Sequence, residues 1–230
     1  MTGMATRHRP RRRWIWVLVT LVTATVVVVP VTLRVALKGE LQHESDPLAR
    51  YRREIADLQV QANDGEMITV QAGRPGQVTV TSMVAWLVSK PAVTQSWRGG
   101  VFRVSAICPK FDPFEDCQAS VVISVPAGTT VQGQAGAGSL TVVGLTGALH
   151  LTATSGLVLA RNVSGPVWAA ATSGSAVART GLRSASLHAS VSTGLITLMF
   201  TAAPRSVAVG VGAGSAAIAV PAGSRYRVAS

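Results

Sequence analysis

Carboxylates are missing from half of this chain: between Gln118 and Ser230 there is no aspartate or glutamate. β-Helical enzymes that cleave polysaccharides need carboxylates for acid–base work or to hold calcium. Calcium-binding nonapeptide repeats need an aspartate in each turn. That half of the chain can house neither chemistry. Cysteine is nearly as scarce. Cys108 and Cys117 are the only two, with eight residues between them; the spacing fits no zinc pattern and no histidine is near in sequence. Serines are plentiful, yet no Gly-x-Ser-x-Gly elbow comes with a credible order of His and Asp. These absences point to a protein with no catalytic residues, no metal and no cofactor.

The net charge of +11 suggests nucleic acid until it is divided by region. Residues 1–38 hold seven basic residues and no acid, residues 39–117 eight against ten, and residues 118–230 six against none. The largest share is thus an amino-terminal tail. Beyond it no run of Lys or Arg is interleaved with aromatics, so a nucleic-acid partner is not expected.

What is present is a repeat. Glycines close small-residue turns at Gly138, Gly156, Gly174, Gly194 and Gly214, spaced 18, 18, 20 and 20 residues apart. Each turn separates two short runs of period two, such as Leu149-His150-Leu151-Thr152-Ala153 and Gly156-Leu157-Val158-Leu159-Ala160. Alternation with β-branched residues marks half-buried strands. Overlaying the repeats aligns Leu140, Val158, Ala176, Ile196 and Ala216 in one column, and Val142, Ala160, Ala178, Leu198 and Ile218 in another. Period and columns predict an all-β, single-stranded β-solenoid built of two-strand rungs, each rung burying the face its neighbour leaves open. The clearest repeats span residues 131–220.

The start of the chain predicts a location. Arg7, Arg9, Arg11, Arg12 and Arg13 precede an apolar run from Trp14 to Leu33, about the length that crosses a hydrocarbon core. The arginines read as topogenic, with the amino terminus inside. The expected organisation is a basic cytoplasmic tail over 1–13, an uncleaved transmembrane signal anchor over 14–37, a polar juxtamembrane linker over 38–53 and an extracellular solenoid over 54–230. The implied localisation is the cell membrane, single-pass, with the lipid bilayer as a partner of the anchor.

Within the external part, Leu58-Gln59-Val60-Gln61-Ala62 aligns with Leu149-His150-Leu151-Thr152-Ala153 and opens an early rung. Met67 aligns with Val158, two places after its glycine. Cys108 and Cys117 bound an insertion and, outside the cytoplasm, are expected to form a disulfide. His150 and His188 occupy one outward position in two rungs, with Trp168 between them. This is either an aromatic and imidazole stripe that stacks on a sugar, or an ordinary half-exposed sheet face. At the carboxyl end, Val220-Pro221-Ala222-Gly223-Ser224 echoes Val125-Pro126-Ala127-Gly128-Thr129. By that alignment Tyr226 and Val228 point inward, and Arg225 and Arg227 either guard a free strand edge or flank one that a partner strand completes.

The basic tail, single anchor, Cys108–Cys117 loop, Val-Pro-Ala-Gly-Thr turn and Thr-Ser-Gly rungs together resemble the bacterial putative adhesin domain family of actinobacterial type. The resemblance implies a membrane-anchored β-solenoid surface protein, acting as a non-catalytic binding or structural module toward cell-wall polymer or a membrane protein. Members often carry an aspartate after the turn glycine, whereas this chain has Ser139, Leu157, Ser175, Leu195 and Ser215 there. The other function class is an envelope-sensing accessory protein working through a membrane partner.

Overall fold

The computed structural model of the protein describes residues 11–36, 42–63, 65–86, 89–108, 117–223 and 225–229. The chain divides into two compact units, Met1–Leu41 and Gln42–Ser230.

The first unit holds helix α1 (Arg11–Ala36). Thr20, Thr23 and Thr25 donate their hydroxyls to the carbonyls of Trp16, Val19 and Leu21, each at 2.7 Å. No helix among the described residues is long and apolar enough to cross a membrane. This corrects the transmembrane anchor expected over 14–37 and the single-pass localisation drawn from it. Of the arginines expected to be topogenic, Arg11, Arg12 and Arg13 open α1, while Arg7 and Arg9 lie outside the described residues.

The second unit is all β. Its strands are β1 (Gln42–Tyr51), β2 (Asp57–Ala62), β3 (Met67–Ala72), β4 (Val78–Trp86), β5 (Ala92–Arg98), β6 (Val101–Ile107), β7 (Cys117–Val125), β8 (Thr130–Ala135), β9 (Ser139–Val143), β10 (Leu149–Ala153), β11 (Leu157–Arg161), β12 (Val167–Leu182), β13 (Ser186–Phe200) and β14 (Ser206–Ala219). All join one sheet, ordered β1-β4-β7-β3-β9-β11-β12-β10-β8-β2-β6-β5, with β13 on β12 and β14 on β13. The long β12 is the junction, its first half pairing with β10 and its second with β11. From it two wings curl around a shared core, giving a half-barrel.

This corrects the predicted solenoid of two-strand rungs. The expected small-residue turns near Gly174, Gly194 and Gly214 do not divide strands, because β12, β13 and β14 run unbroken through them. With no proline and little side-chain bulk, the chain keeps its ladder while bending, and the bend shows as a change of parity. In β13 the buried residues are Leu187, Ala189 and Val191 before it, and Ile196, Leu198 and Phe200 after it. Nor does stacking follow chain order. β2, expected to open the array, lies between β6 and β8, and β3 lies between β7 and β9. β1, β4 and β5 pair antiparallel, which a uniform coil would not contain. Part of the stretch expected as a polar linker is β1, whose Pro47 falls in a bulge on a sheet edge, where a missing donor is tolerated.

The predicted columns are nonetheless in register: Leu140 with Val158, Val158 with Ala176, Ala176 with Ile196, and Ile196 with Ala216. Leu58, Ile68, Phe102, Ile123, Leu140, Leu151 and Ile196 are fully buried between the wings. Each contributes about 1.5–3 kcal/mol relative to exposure. Met67 departs from its predicted alignment by one place. Ile68, 1% exposed, takes the inward column and Met67, 58% exposed, faces out. An extra residue after Gly65 causes the slip: Glu66 is buried and accepts the Cys108 N–H on Oε1 at 2.8 Å.

Cys108 and Cys117 are joined by a disulfide, with Cα atoms 5.9 Å apart, linking the end of β6 to the start of β7. Closing so short a loop stabilises by about 2–3 kcal/mol in the chain-entropy account. Cys117→Ser is therefore expected to lower the thermal midpoint by about 4–12 °C while leaving the far-ultraviolet circular dichroism unchanged, since the core columns lie elsewhere. An unaltered midpoint would show that the crosslink restrains nothing.

Candidate binding face

The outer faces of the two wings differ in chemistry. On the wing β11-β9-β3-β7-β4-β1, register places Ser45, Met83, Ser120, Met67, Ser139, Leu157, Ser175, Leu195 and Ser215 in one row across the strands. Large apolar and hydroxyl side chains alternate strictly. Each exposed Met or Leu is set off from the next by a serine strand, roughly 9–10 Å away at ordinary strand spacing. The row thereby avoids a continuous apolar patch.

On the other wing the corresponding row is polar and aromatic. It reads Ser96, Arg103, Gln59, Gln132, His150, Trp168 and His188. Seven adjacent strands at about 4.8 Å make a strip roughly 29 Å long. Because alternate residues of a strand share a face, the inward neighbours Leu58, Phe102, Val131, Leu149, Val167 and Leu187 are buried beneath it. The core thus fixes which side chains stand outward.

The rings of this row are ordered. His150 and Trp168 have centroids 6.2 Å apart with planes inclined by 34°, and Trp168 and His188 lie 6.4 Å apart and almost parallel at 5°. Trp168 is 38% exposed, leaving apolar ring surface accessible beside two imidazoles. Beyond His150 the strip turns to hydrogen-bonding groups. Arg103 donates Nε–H to Gln59 Oε1 at 2.6 Å, and Gln59 donates Nε2–H to Gln132 Oε1 at 3.5 Å. These side chains, with Gln61, Gln134, Thr94 and Ser105 from the next row, line an open groove of about 420 Å³. No carboxylate lines it. Its donors and acceptors are amides, hydroxyls and one guanidinium, a set that forms directional bonds to neutral polar ligands without supplying an acid–base pair.

His150, Trp168 and His188, singled out in the sequence, are thus adjacent, in register and outward. Gln59, Gln132, Arg103 and Ser96 were missed, since β2, β6, β8 and β5 are neighbours only through the out-of-order stacking. A signal for two of them was present. Leu58-Gln59-Val60-Gln61-Ala62 and Val131-Gln132-Gly133-Gln134-Ala135 carry glutamine at the same alternate positions, as expected of strands that pair in register. Among the described residues no cluster of three or more His, Cys, Asp or Glu could hold a metal ion. Asp112, Glu115 and Asp116, near the disulfide in sequence, lie outside them.

The chain matches no family model and no curated protein sequence. Among solved structures it is similar to a putative cell adhesion protein from Clostridium sporogenes, at 10% identity over 78% of this chain and 99% of that one, with a TM-score of 0.47. It is also similar to a putative adhesin from Bacteroides fragilis, at 13% identity over 77% and 96%, TM-score 0.33. A third is a putative lipid binding protein from Parabacteroides distasonis, at 8% identity over 78% and 96%, TM-score 0.25.

Proposed function

We propose that this protein is a non-catalytic binding module whose ligand is a neutral polysaccharide, such as a cell-wall polymer, lying along the strip from Arg103 to His188. One observation carries the reading: a stacked Trp168–His188 pair continues, strand by strand, into the amide and guanidinium side chains of a groove. A sugar ring has an apolar face of C–H groups and a rim of hydroxyls. The first packs on an indole, whose broad surface gives the most contact per side chain, and the second bonds to amides that both donate and accept. A strip seven strands long suits a chain of repeated units better than a compact ligand. The missing carboxylates fit retention of the polymer rather than its cleavage.

Binding to soluble cell-wall polysaccharide fractions, followed by calorimetry or by retention on the immobilised polymer, tests the proposal. Trp168→Ala is expected to weaken binding by about five- to a hundredfold, since one stacked aromatic contributes on the order of 1–3 kcal/mol. Gln59→Ala with Gln132→Ala should act similarly from the groove end. Leu195→Ser, on the other wing, should leave binding unchanged. Equal retention by all three variants would remove this face from consideration.

A further inference from the structure

The last strand is left open. Among the described residues β14 pairs only with β13, and its fourteen residues, Ser-Val-Ala-Val-Gly-Val-Gly-Ala-Gly-Ser-Ala-Ala-Ile-Ala, contain neither charge nor proline. The other sheet edges are guarded. β1 carries Glu44, Asp46, Pro47 and Arg50, and β5 is short and ends on Arg98. The core near β5 is also closed by aromatic packing: Trp97 stacks on Phe102 at 4.5 Å, Tyr51 packs against both, and Arg53 sits over Trp97. At β14, by contrast, Val207, Val209 and Val211 are only half-buried and Ile218 is 47% exposed. The inward placement expected of Tyr226 and Val228 is not found. Residues 225–229 adopt no strand, and Val228 is 87% exposed. Natural edge strands of this length are ordinarily blunted by charge, proline or a covering element.

We infer that the occupant of this edge is β14 of a second copy, paired antiparallel about a two-fold axis through the bend at Gly212 and Ala213. The parity change singles this out. By register with β13, the inward residues of β14 are Val207, Val209 and Val211 before the bend and Ala216 and Ile218 after it. Before the bend the inward numbers are odd, and after it they are even. A two-fold pairing that centres on the bend sets Val207 against Ile218 of the partner subunit and Val209 against Ala216 of the partner subunit. Inward side chains meet inward side chains along both arms, and the two cores become continuous. A straight foreign strand can match only one arm, because a one-residue offset sends its side chains to the wrong face. An isologous pairing reproduces the bend from the same sequence on both sides. With no charge in β14, the approach is not opposed by repulsion.

The same geometry brings two exposed residues, Ala208 and Ala217, directly opposite each other across the axis, twice in the dimer. Sedimentation of the full chain over a range of concentrations tests this, with circular dichroism as the folding control. The natural chain is expected to dimerise. Ala208→Lys with Ala217→Lys places like charges face to face and should raise the dissociation constant by about tenfold or more. Ala208→Lys with Ala217→Glu turns the same contacts into opposite-charge pairs and should restore the dimer. A natural chain that stays monomeric, a dimer indifferent to the paired lysines, or a lysine–glutamate variant that fails to reassociate would each overturn the inference.

Discussion

Ile196→Asp is expected to unfold the strand-rich unit or lower its thermal midpoint by well over 10 °C, while Thr197→Asp, one residue along, shifts it by no more than a few degrees. Ile196 is fully buried, in register between Ala176 and Ala216, in the column that also holds Leu140 and Val158. The substitution removes an apolar side chain worth about 2–5 kcal/mol when truncated. It also adds a carboxyl group with no partner, costing several kcal/mol more or forcing the group to stay neutral. A domain whose whole stability is on the order of 5–15 kcal/mol cannot absorb much of that. Thr197 is only partly buried, on the opposite face of the strand, where a carboxylate can keep its water. Thermal denaturation of the two variants against the natural chain decides the matter. Similar midpoints would mean that the register of β13 is off by one, because a single-residue slip exchanges the faces.

The second large effect is expected from Gly156→Ala. Gly138, Gly156, Gly174, Gly194 and Gly214 form a column of their own along the bend. A Cβ added to any of the last four would run into the carbonyl oxygen of the glycine before it. Those carbonyls are held in place: the Leu157 N–H donates to Gly138 O at 3.2 Å and the Ser175 N–H to Gly156 O at 3.3 Å. Since the obstacle is ladder backbone rather than the end of a flexible side chain, it cannot move aside locally. The cost should be on the order of 3 kcal/mol, as for overpacking in a tight interior. That corresponds to a drop of about 6–12 °C for a domain of this size. Gly128→Ala is the matched control. Nothing lies within 4 Å of its added Cβ, and the loss of chain freedom in the unfolded state should leave the variant equal or slightly more stable. If the two alanines behaved alike, the glycine column would reflect sequence habit and not close approach.

The repeat glycines, read in the sequence as turn residues, are thus required chiefly for proximity. That difference shows where sequence reasoning stopped. The 18- and 20-residue spacing and the alternation of Leu149-His150-Leu151 were enough to assign strands, their inward faces and their aligned columns, because strand periodicity is local and burial follows from it. The pairing of Cys108 with Cys117 was legible on a different ground, since the chain holds only these two cysteines and an extracellular placement was expected to oxidise them. The outward placement of His150, Trp168 and His188 followed from the columns as well.

The sequence by itself therefore determined an all-β core, its register in the repeat region and the aromatic and imidazole end of the candidate face. Tertiary structure alone decided the rest. Whether a stretch such as Ala171-Thr172-Ser173-Gly174 divides two strands or bends one depends on neighbours that hydrogen-bond to it from above and below, which the local chain does not specify. The insertion of β2 between β6 and β8, which carries Gln59 and Arg103 to the side of Gln132 and His150, depends on pairings between residues 44 and 73 positions apart. The open edge at β14 could not be read either. Val220-Pro221-Ala222-Gly223-Ser224 resembles the start of another turn of chain, yet the residues after it find no strand to join. A repeat specifies what each unit buries against the next, but where the sheet ends is set by whichever strand is left without a neighbour.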